Sequence, residues 1–515
     1  MTPVRPAATV GDAPVGVAFP VVDGRRSTSV TGRAVLADAV RAVDPALADD
    51  VLAVRDWRSG YLDAFARTTA LAVTRASAAG TISADGLTSV HRRFVLAGPD
   101  GDRPLDEALA DALADGGQDA ADLHTASVTG AQPFARSELS VPYRGARLAG
   151  AALERRLDAW VADGIAEESF AHALRLVAAN PEWLDLRDLT VVVLGAGAEM
   201  GPLVSLARWG AHVVAVDVPR PELWARLVAT VRDSPGRMSV PVGRPTAPDA
   251  ADAQLAAVAG ADVLAGTPAL LRWLARLDGP FTLGNYVYLD GARHVQASVA
   301  VDALTTALAA RRPDVSLAFL ATPTDVFGVP GDVVEDAARR YAARSWAGRG
   351  ARLLSGGRLA RPHYPQTLTG PDGRAMGLAD ALVPQQGPNY ALAKRVQRWR
   401  ALHERAAGRV VSLNVAPATR TRSVLRNRLL AAAYAGAGRF GIEVFDPSTS
   451  NTLMAALLVH DLRHPAAAAR PGTALSHPLE LFWQGANHGG LWRTGYAPRS
   501  VLGVAVVLGM VQRSA

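Results

Sequence analysis

Residues 190–217 read TVVVLGAGAEMGPLVSLARWGAHVVAVD. An apolar run at 191–194 meets three glycines, Gly195, Gly197 and Gly201. A helix-like segment follows at 202–209, and a turn at Gly210 leads to a second apolar run at 213–216 that closes on Asp217. The pattern predicts a strand, a glycine turn, a helix and a second strand. Each glycine has its own physical reason. Gly195 lets the chain turn sharply out of the strand, Gly197 leaves room for a pyrophosphate against the backbone, and Gly201 lets the helix lie close to the sheet. The spacing is G-x-G-x-x-x-G, one residue longer than G-x-G-x-x-G. Asp217 lies 217 − 197 = 20 residues after the second glycine, near the ~20 at which an acid takes a ribose hydroxyl. The stretch reads as a dinucleotide-binding βαβ unit. Its expected cofactor contacts are Gly195, Ala196, Gly197, Glu199, Met200 and Gly201 in the loop, and Asp217 with Val218 at the adenosine ribose. A structural αβ turn without a ligand is the alternative.

At 515 residues the chain is long for one domain, and two or three are expected. Its 49% apolar content supports packed cores. The formal charge is +6, but arginines are spread along the chain and basic clusters such as 420–428 are short. A solvated basic surface explains this better than a nucleic-acid site, and an acidic ligand such as a phosphate or an acyl carrier fits it equally. With no cysteine, disulfides, thiolate catalysis and Cys-based zinc sites are excluded. The first residues, MTPVRPAATVGDAPVG, lack a signal-peptide apolar core. The longest apolar tail, 501–511, is too short to span a bilayer and reads as a buried strand. The expectation is a cytoplasmic protein without a membrane span.

Working outward from the glycine stretch, residues 34–43, 54–76 and 105–114 have helical apolar spacing, and 89–97 has strand character. Residues 150–178 read as two helices broken near Gly164. This predicts a mainly helical N-terminal domain over 1–185, its role unreadable, in which His91, His124 and His172 stand isolated. After Asp217, helices are expected at 219–231, 253–258 and 295–311, and strands at 261–265, 286–289 and 315–321. Such alternation predicts an α/β fold, a Rossmann-like doubly wound parallel sheet over 186–430. Residues 431–515 form the expected substrate-side region. There Trp483, His488, Trp492 and Tyr496 suit either a ligand pocket or packing beneath a C-terminal subdomain. His460, His464, His477 and His488 lack regular spacing and accompanying carboxylates, so no metal site is expected.

Four pieces then follow in order. ADVLAGTP at 261–268 sits where a nucleotide-binding sheet has its fourth strand. VDALTTALAARRPDVSLAFLATPTDVFG at 301–328 reads as a long helix, a fifth strand and a loop. Asn389-Tyr390-Ala391-Leu392-Ala393-Lys394 supplies Tyr-x-x-x-Lys, and RVVSLNVAPATRTRS at 409–423 supplies a further strand and a proline-containing loop. Over 189–428 this order resembles the short-chain dehydrogenase/reductase superfamily, especially its extended, epimerase-like branch. Val326-Phe327-Gly328 is similar to that family's Val-Tyr-Gly. The interval 390 − 324 = 66 makes residues 329–388 an insertion, with a helix at 332–345 and a loop at 348–373.

Residues four apart share a helix face, so Tyr390 and Lys394 point to one site. A free phenol titrates near about pH 10, and a nearby ammonium stabilises the phenolate. The resemblance implies an NAD(P)-dependent oxidoreductase with Tyr390 as general acid/base and Lys394 lowering its pKa and holding ribose. Thr324 or Thr322, with Thr324 slightly favoured, would orient the oxygen of a carbonyl, nucleotide-sugar or carrier-linked substrate. Asp217 repels a 2′-phosphate, which favours NAD over NADP, and Arg220 weakens that preference. The resemblance also implies a homodimer packed through 295–310. The alternatives are an epimerase or dehydratase without net hydride transfer, an inactive dinucleotide-binding protein, and a methyltransferase, which the Tyr390/Lys394 pair disfavours. An amphipathic helix face with a buried ring and a snorkelling lysine also accounts for that pair.

Overall fold

The computed structural model describes residues 15–114, 122–247, 250–426 and 428–514. Its central sheet has seven strands: β1 (His124–Thr129), β2 (Thr190–Leu194), β3 (His212–Val216), β4 (Arg237–Val242), β5 (Thr282–Asn285), β6 (Ser316–Ala321) and β7 (Val411–Val415). They lie in the order β7-β6-β5-β2-β3-β4-β1. β1 runs antiparallel on β4, and the other neighbours are parallel. Counted from β2, the six parallel strands follow the order 3-2-1-4-5-6 of a dinucleotide-binding sheet.

The helices named below are α1 (Thr28–Arg41), α2 (Trp57–Thr74), α3 (Ala76–Arg93), α4 (Leu105–Ala114), α5 (Gly150–Ala162), α6 (Glu168–Ala179), α7 (Leu203–Arg208), α8 (Ala292–Arg311), α9 (Gly387–Ala406), α10 (Arg428–Gly436), α11 (Pro447–Arg463) and α12 (Pro498–Ser514). The apolar runs of β2 and β3 are continuous because both sheet faces are covered. Val192, Leu194, Val214 and Val216 enter one core with Leu36 of α1, Phe65 of α2, Val90 of α3, Leu109 of α4 and Val295 of α8. Val191, Val193, Val213 and Ala215 enter a second core with Trp160 of α5, Phe170 of α6, Leu206 of α7 and Leu457 of α11. The helices before residue 185 therefore do not stand apart from the sheet. They supply part of the cover on both faces, and the same segment supplies edge strand β1.

Several local expectations are corrected. Residues 261–265 are a turn, not a strand: the Leu264 N–H bonds to Asp262 Oδ1 at 2.8 Å, and the Gly266 N–H to the Asp262 carbonyl at 2.8 Å. The fourth parallel strand is β5, and the strand expected at 286–289 ends at Asn285, whose Oδ1 takes the Val287 N–H at 3.2 Å. Residues 89–97 divide between α3 and a short strand, Val95–Gly98. The expected loop at 348–373 contains the helix Trp346–Leu354. The tail at 501–511 is helix α12, which packs against α10. A Cβ on Gly436 would lie 2.0 Å from the Ala505 carbonyl, and one on Gly509 would lie 1.9 Å from the Ala432 carbonyl. Those glycines let the two backbones meet. Nor is α8 free to form a two-fold interface through 295–310. Val295, Val299, Val301 and Leu308 are buried in the chain's own core with the N-terminal helices and α9.

Trp492 and His488 are each 0% exposed and stack at 4.8 Å, so this part of the aromatic cluster is packing. His488 Nε2 lies 2.8 Å from Glu167 Oε1, and Arg493 clamps the same carboxylate at 2.9 and 2.7 Å. Burial alone would raise the Glu167 pKa, but these hydrogen bonds outweigh it and hold the group at about 2, below its ordinary 4.5. The stability it contributes is fully present above pH 4.5 and is lost as pH falls through about 2. Glu167→Gln is expected to abolish roughly 3 kcal/mol of this acid dependence in urea unfolding curves taken between those limits. Parallel pH profiles for wild type and variant would refute the assignment.

Candidate functional site

A cleft of about 1410 Å³ opens where Leu194, Val216, Asn285, Ala321 and Ala416 end or follow the parallel strands. β2 and β5 are neighbours there, and the strand order reverses at that point. Open α/β sheets bind ligands at this switch point.

The glycine loop forms one end of the cleft. The N–H groups of Gly195 and Ala196 bond back to the Val216 carbonyl at 2.9 and 3.1 Å, which folds the loop over the end of β3. Gly195 has φ +82°, and a Cβ there would lie 2.9 Å from the 286–287 backbone. Gly197 donates its N–H to Asp217 Oδ2 at 2.8 Å, and a Cβ there would meet Leu223 at 2.3 Å and Asp217 at 3.2 Å. The second oxygen of Asp217 takes the Val218 N–H at 2.8 Å. Burial raises the Asp217 pKa, while these N–H groups, Arg220 and Arg226 oppose the rise. Gly197, Glu199, Met200, Asp217 and Val218 line the cleft with Gly195. Ala196 and Gly201 do not: Ala196 is in the core beneath, and Gly201 is buried in a turn where a Cβ would sit 3.1 Å from the Ala198 carbonyl. The role expected for Gly201, close approach of helix to sheet, thus belongs to the turn instead. Glu199 faces across to Arg422, taking its backbone N–H at 2.7 Å and pairing with Nε at 3.2 Å. Gly195, Gly197, Asp217 and Val218 are the residues at this end of the cleft that could hold a dinucleotide.

β6 and α9 form the other end. The β6 loop carries Thr322 and Thr324, whose hydroxyls are 2.8 Å apart. Tyr390 and Lys394 stand one turn apart on α9 and line the same cleft. Burial raises the Tyr390 pKa against the pull of the neighbouring Thr322 hydroxyl. Burial lowers Lys394 to about 8, with Asp325 opposing. Its Nζ donates to the Leu320 carbonyl at 3.4 Å and to Gln397 Oε1 at 3.3 Å. Gln386, which carried no sequence signal, fixes Thr324 by donating Nε2 to its Oγ1 and carbonyl, both at 2.9 Å. His294 and Arg226 also line the cleft without having been expected from sequence. A lone histidine in a helix and one arginine among many give no spacing signal. α10 and α12 supply an apolar wall that includes Tyr434. Trp483, His488, Trp492 and Tyr496 are not on the cleft surface.

Beneath this site α9 places two buried arginines on one acid. Asp325 is 1% exposed and pairs with Arg395 at 3.1 Å and Arg398 at 2.8 Å. Asp302 of α8 likewise takes Arg400 at 2.8 Å through both oxygens and His91 at 2.7 Å. His91 is thus a core partner.

No family model matches this sequence, and no curated protein or solved structure matches it either. The chain is an α/β protein whose seven-stranded, mostly parallel sheet is consistent with a Rossmann-like fold. Among the described residues, no helix is long and apolar enough to cross a membrane, and no group of His, Asp or Glu is placed to hold a metal.

Proposed function

We propose that this chain is an NAD(P)-dependent oxidoreductase acting on a carbonyl or alcohol, of the kind the short-chain dehydrogenase/reductase resemblance implies. The observation that carries the reading is a single cleft at the strand-order reversal that holds both residue sets: Gly195, Gly197 and Asp217 at one end, Tyr390, Thr322 and Lys394 at the other. A bound nicotinamide would supply the hydride donor or acceptor. Tyr390 would give its proton to the substrate oxygen during reduction, or take it during oxidation. Thr322 orients that hydroxyl, and Thr324 with Gln386 holds Thr322 in place. A protonated Lys394 favours the phenolate form of Tyr390. Asp217 favours NAD, and Arg220 and Arg226 beside it are the groups that would tolerate a 2′-phosphate. A nucleotide-binding protein without turnover is the second reading, and it draws on the raised pKa of the buried Tyr390 hydroxyl.

Thermal unfolding with NAD, NADH, NADP and NADPH tests the nucleotide site. Ligand at a hundredfold excess over Kd stabilises the folded chain by about 2.7 kcal/mol. We expect a clear shift with the NAD pair, lost or switched towards the NADP pair in Asp217→Ala. No shift with any of the four would remove the proposal.

A further inference from the structure

His294 and the apolar wall of the cleft have no part in the mechanism above. His294 lies in the first turn of α8, is 1% exposed and lines the cleft. Its ring sits 5.1 Å from that of Tyr288 and 5.6 Å from that of Tyr390. Nδ1 accepts the Leu289 backbone N–H at 3.4 Å. Burial, reinforced by Lys394, lowers the imidazole to about 3, so the ring is neutral at physiological pH. A neutral ring whose Nδ1 is an acceptor carries its proton on Nε2. That Nε2 is buried and has no hydrogen-bond partner among the described residues. An unpartnered buried donor is destabilising, so a ligand oxygen reaching it recovers that loss.

The wall is formed where α10 and α12 meet. Leu430, Ala433, Ala437, Val501, Leu502 and Ala505 face the cleft and offer no charge. The volume of about 1410 Å³ exceeds the roughly 300–1,000 Å³ of a single small-molecule site. The cleft therefore has room for a second ligand beside a dinucleotide.

We propose that this second ligand is a carbonyl or alcohol compound with an apolar body, and that the His294 Nε2–H donates a hydrogen bond to its oxygen. The chemistry rests on the oxidoreductase reading, whereas the binding needs only the cleft. Tyr390 and His294 then approach one oxygen from neighbouring elements, the first as proton carrier and the second as a fixed neutral donor.

The probes are acetamide and octanamide, which present a carbonyl oxygen on a short and a long apolar body. Titration calorimetry is run with and without NAD, and melting curves of each variant report folding and the nucleotide shift. Octanamide should bind at least about tenfold more tightly than acetamide, because each buried methylene contributes about 0.8 kcal/mol. His294→Phe should weaken octanamide about tenfold and leave the NAD shift unchanged. His294→Gln, which keeps an N–H donor, should recover part of the loss. Equal octanamide affinity in wild type and His294→Phe overturns the donor assignment, and no gain with chain length overturns the apolar ligand class. Either failure leaves an observed NAD shift, and hence the nucleotide site, intact. His294-dependent amide binding without a shift from any nucleotide supports the ligand site and overturns the oxidoreductase reading.

Discussion

Asp325→Ala is expected to lower the unfolding free energy by about 3–5 kcal/mol, the usual cost of removing one partner from a buried ion pair. This single carboxylate answers two guanidinium groups, and the side chains of Arg395 and Arg398 are 5% and 4% exposed. Burial alone would raise the Asp325 pKa, but the two arginines outweigh it and hold the carboxylate ionised. After truncation Arg395 keeps Thr69 Oγ1 at 2.9 Å, and Arg398 keeps the Val326 carbonyl at 2.9 Å and the Phe327 ring at 4.0 Å. None of these neutralises a buried charge. Asp325→Asn should cost less, since an amide oxygen still accepts a hydrogen bond. Urea unfolding followed by tryptophan fluorescence measures both. A change below about 1 kcal/mol in Asp325→Ala would mean that water reaches the arginines and that the pair is not closed. The same carboxylate favours the charged form of Lys394, so Asp325→Asn should also push that amine further down.

Tyr390→Phe is expected to reduce kcat by roughly 10²–10⁴ on any carbonyl compound the protein turns over, the range for losing a positioned proton donor. The change removes one oxygen and keeps the ring that packs near His294 and Tyr288. Nucleotide-induced stabilisation should therefore persist while absorbance-monitored NADH consumption falls. A loss in kcat of less than about threefold, with nucleotide binding retained, would remove Tyr390 from the chemistry. Thr322→Val tests the same chain of hydroxyls one step away. The contact of Tyr390 with Thr322, and of Thr324 with Gln386, makes Thr322 the more sensitive of the two threonines.

The legible parts of the sequence were those with strong periodicity. β2 and β3 announce themselves because every residue at 191–194 and 213–216 is apolar and both faces are buried. That Tyr390 and Lys394 share a helix face is readable from their spacing, but singling them out depends on the order of the pieces around them, since Tyr-x-x-x-Lys is common by chance. β5 was not legible, because Thr282-Leu283-Gly284-Asn285 is four residues with one large apolar side chain. The apolar letters at 261–265 read as a strand, but Asp262 uses its own side chain to close a turn. Residues 501–511 show the limit of a continuous apolar run, which does not distinguish a strand from a buried helix face. Only the close approach of Gly436 and Gly509 to the facing backbones decides it, and that is a property of two distant segments together. His294 and Gln386 depend in the same way on elements that meet only in the folded chain.

Edge strand β1 has a consequence for dissecting the chain. It closes the β4 side of the sheet by six residue pairs, from Arg237 with Thr129 to Val242 with His124. A fragment beginning at residue 186 would bare the N–H and C=O groups of β4 along its outer edge. It would also lose α1 to α4 from one face and α5 and α6 from the other. An unpaired, flat, apolar edge is a template for adding strands from other molecules. The parallel part of the sheet is thus tied to its own N-terminal segment, and a fragment without that segment is expected to aggregate rather than fold.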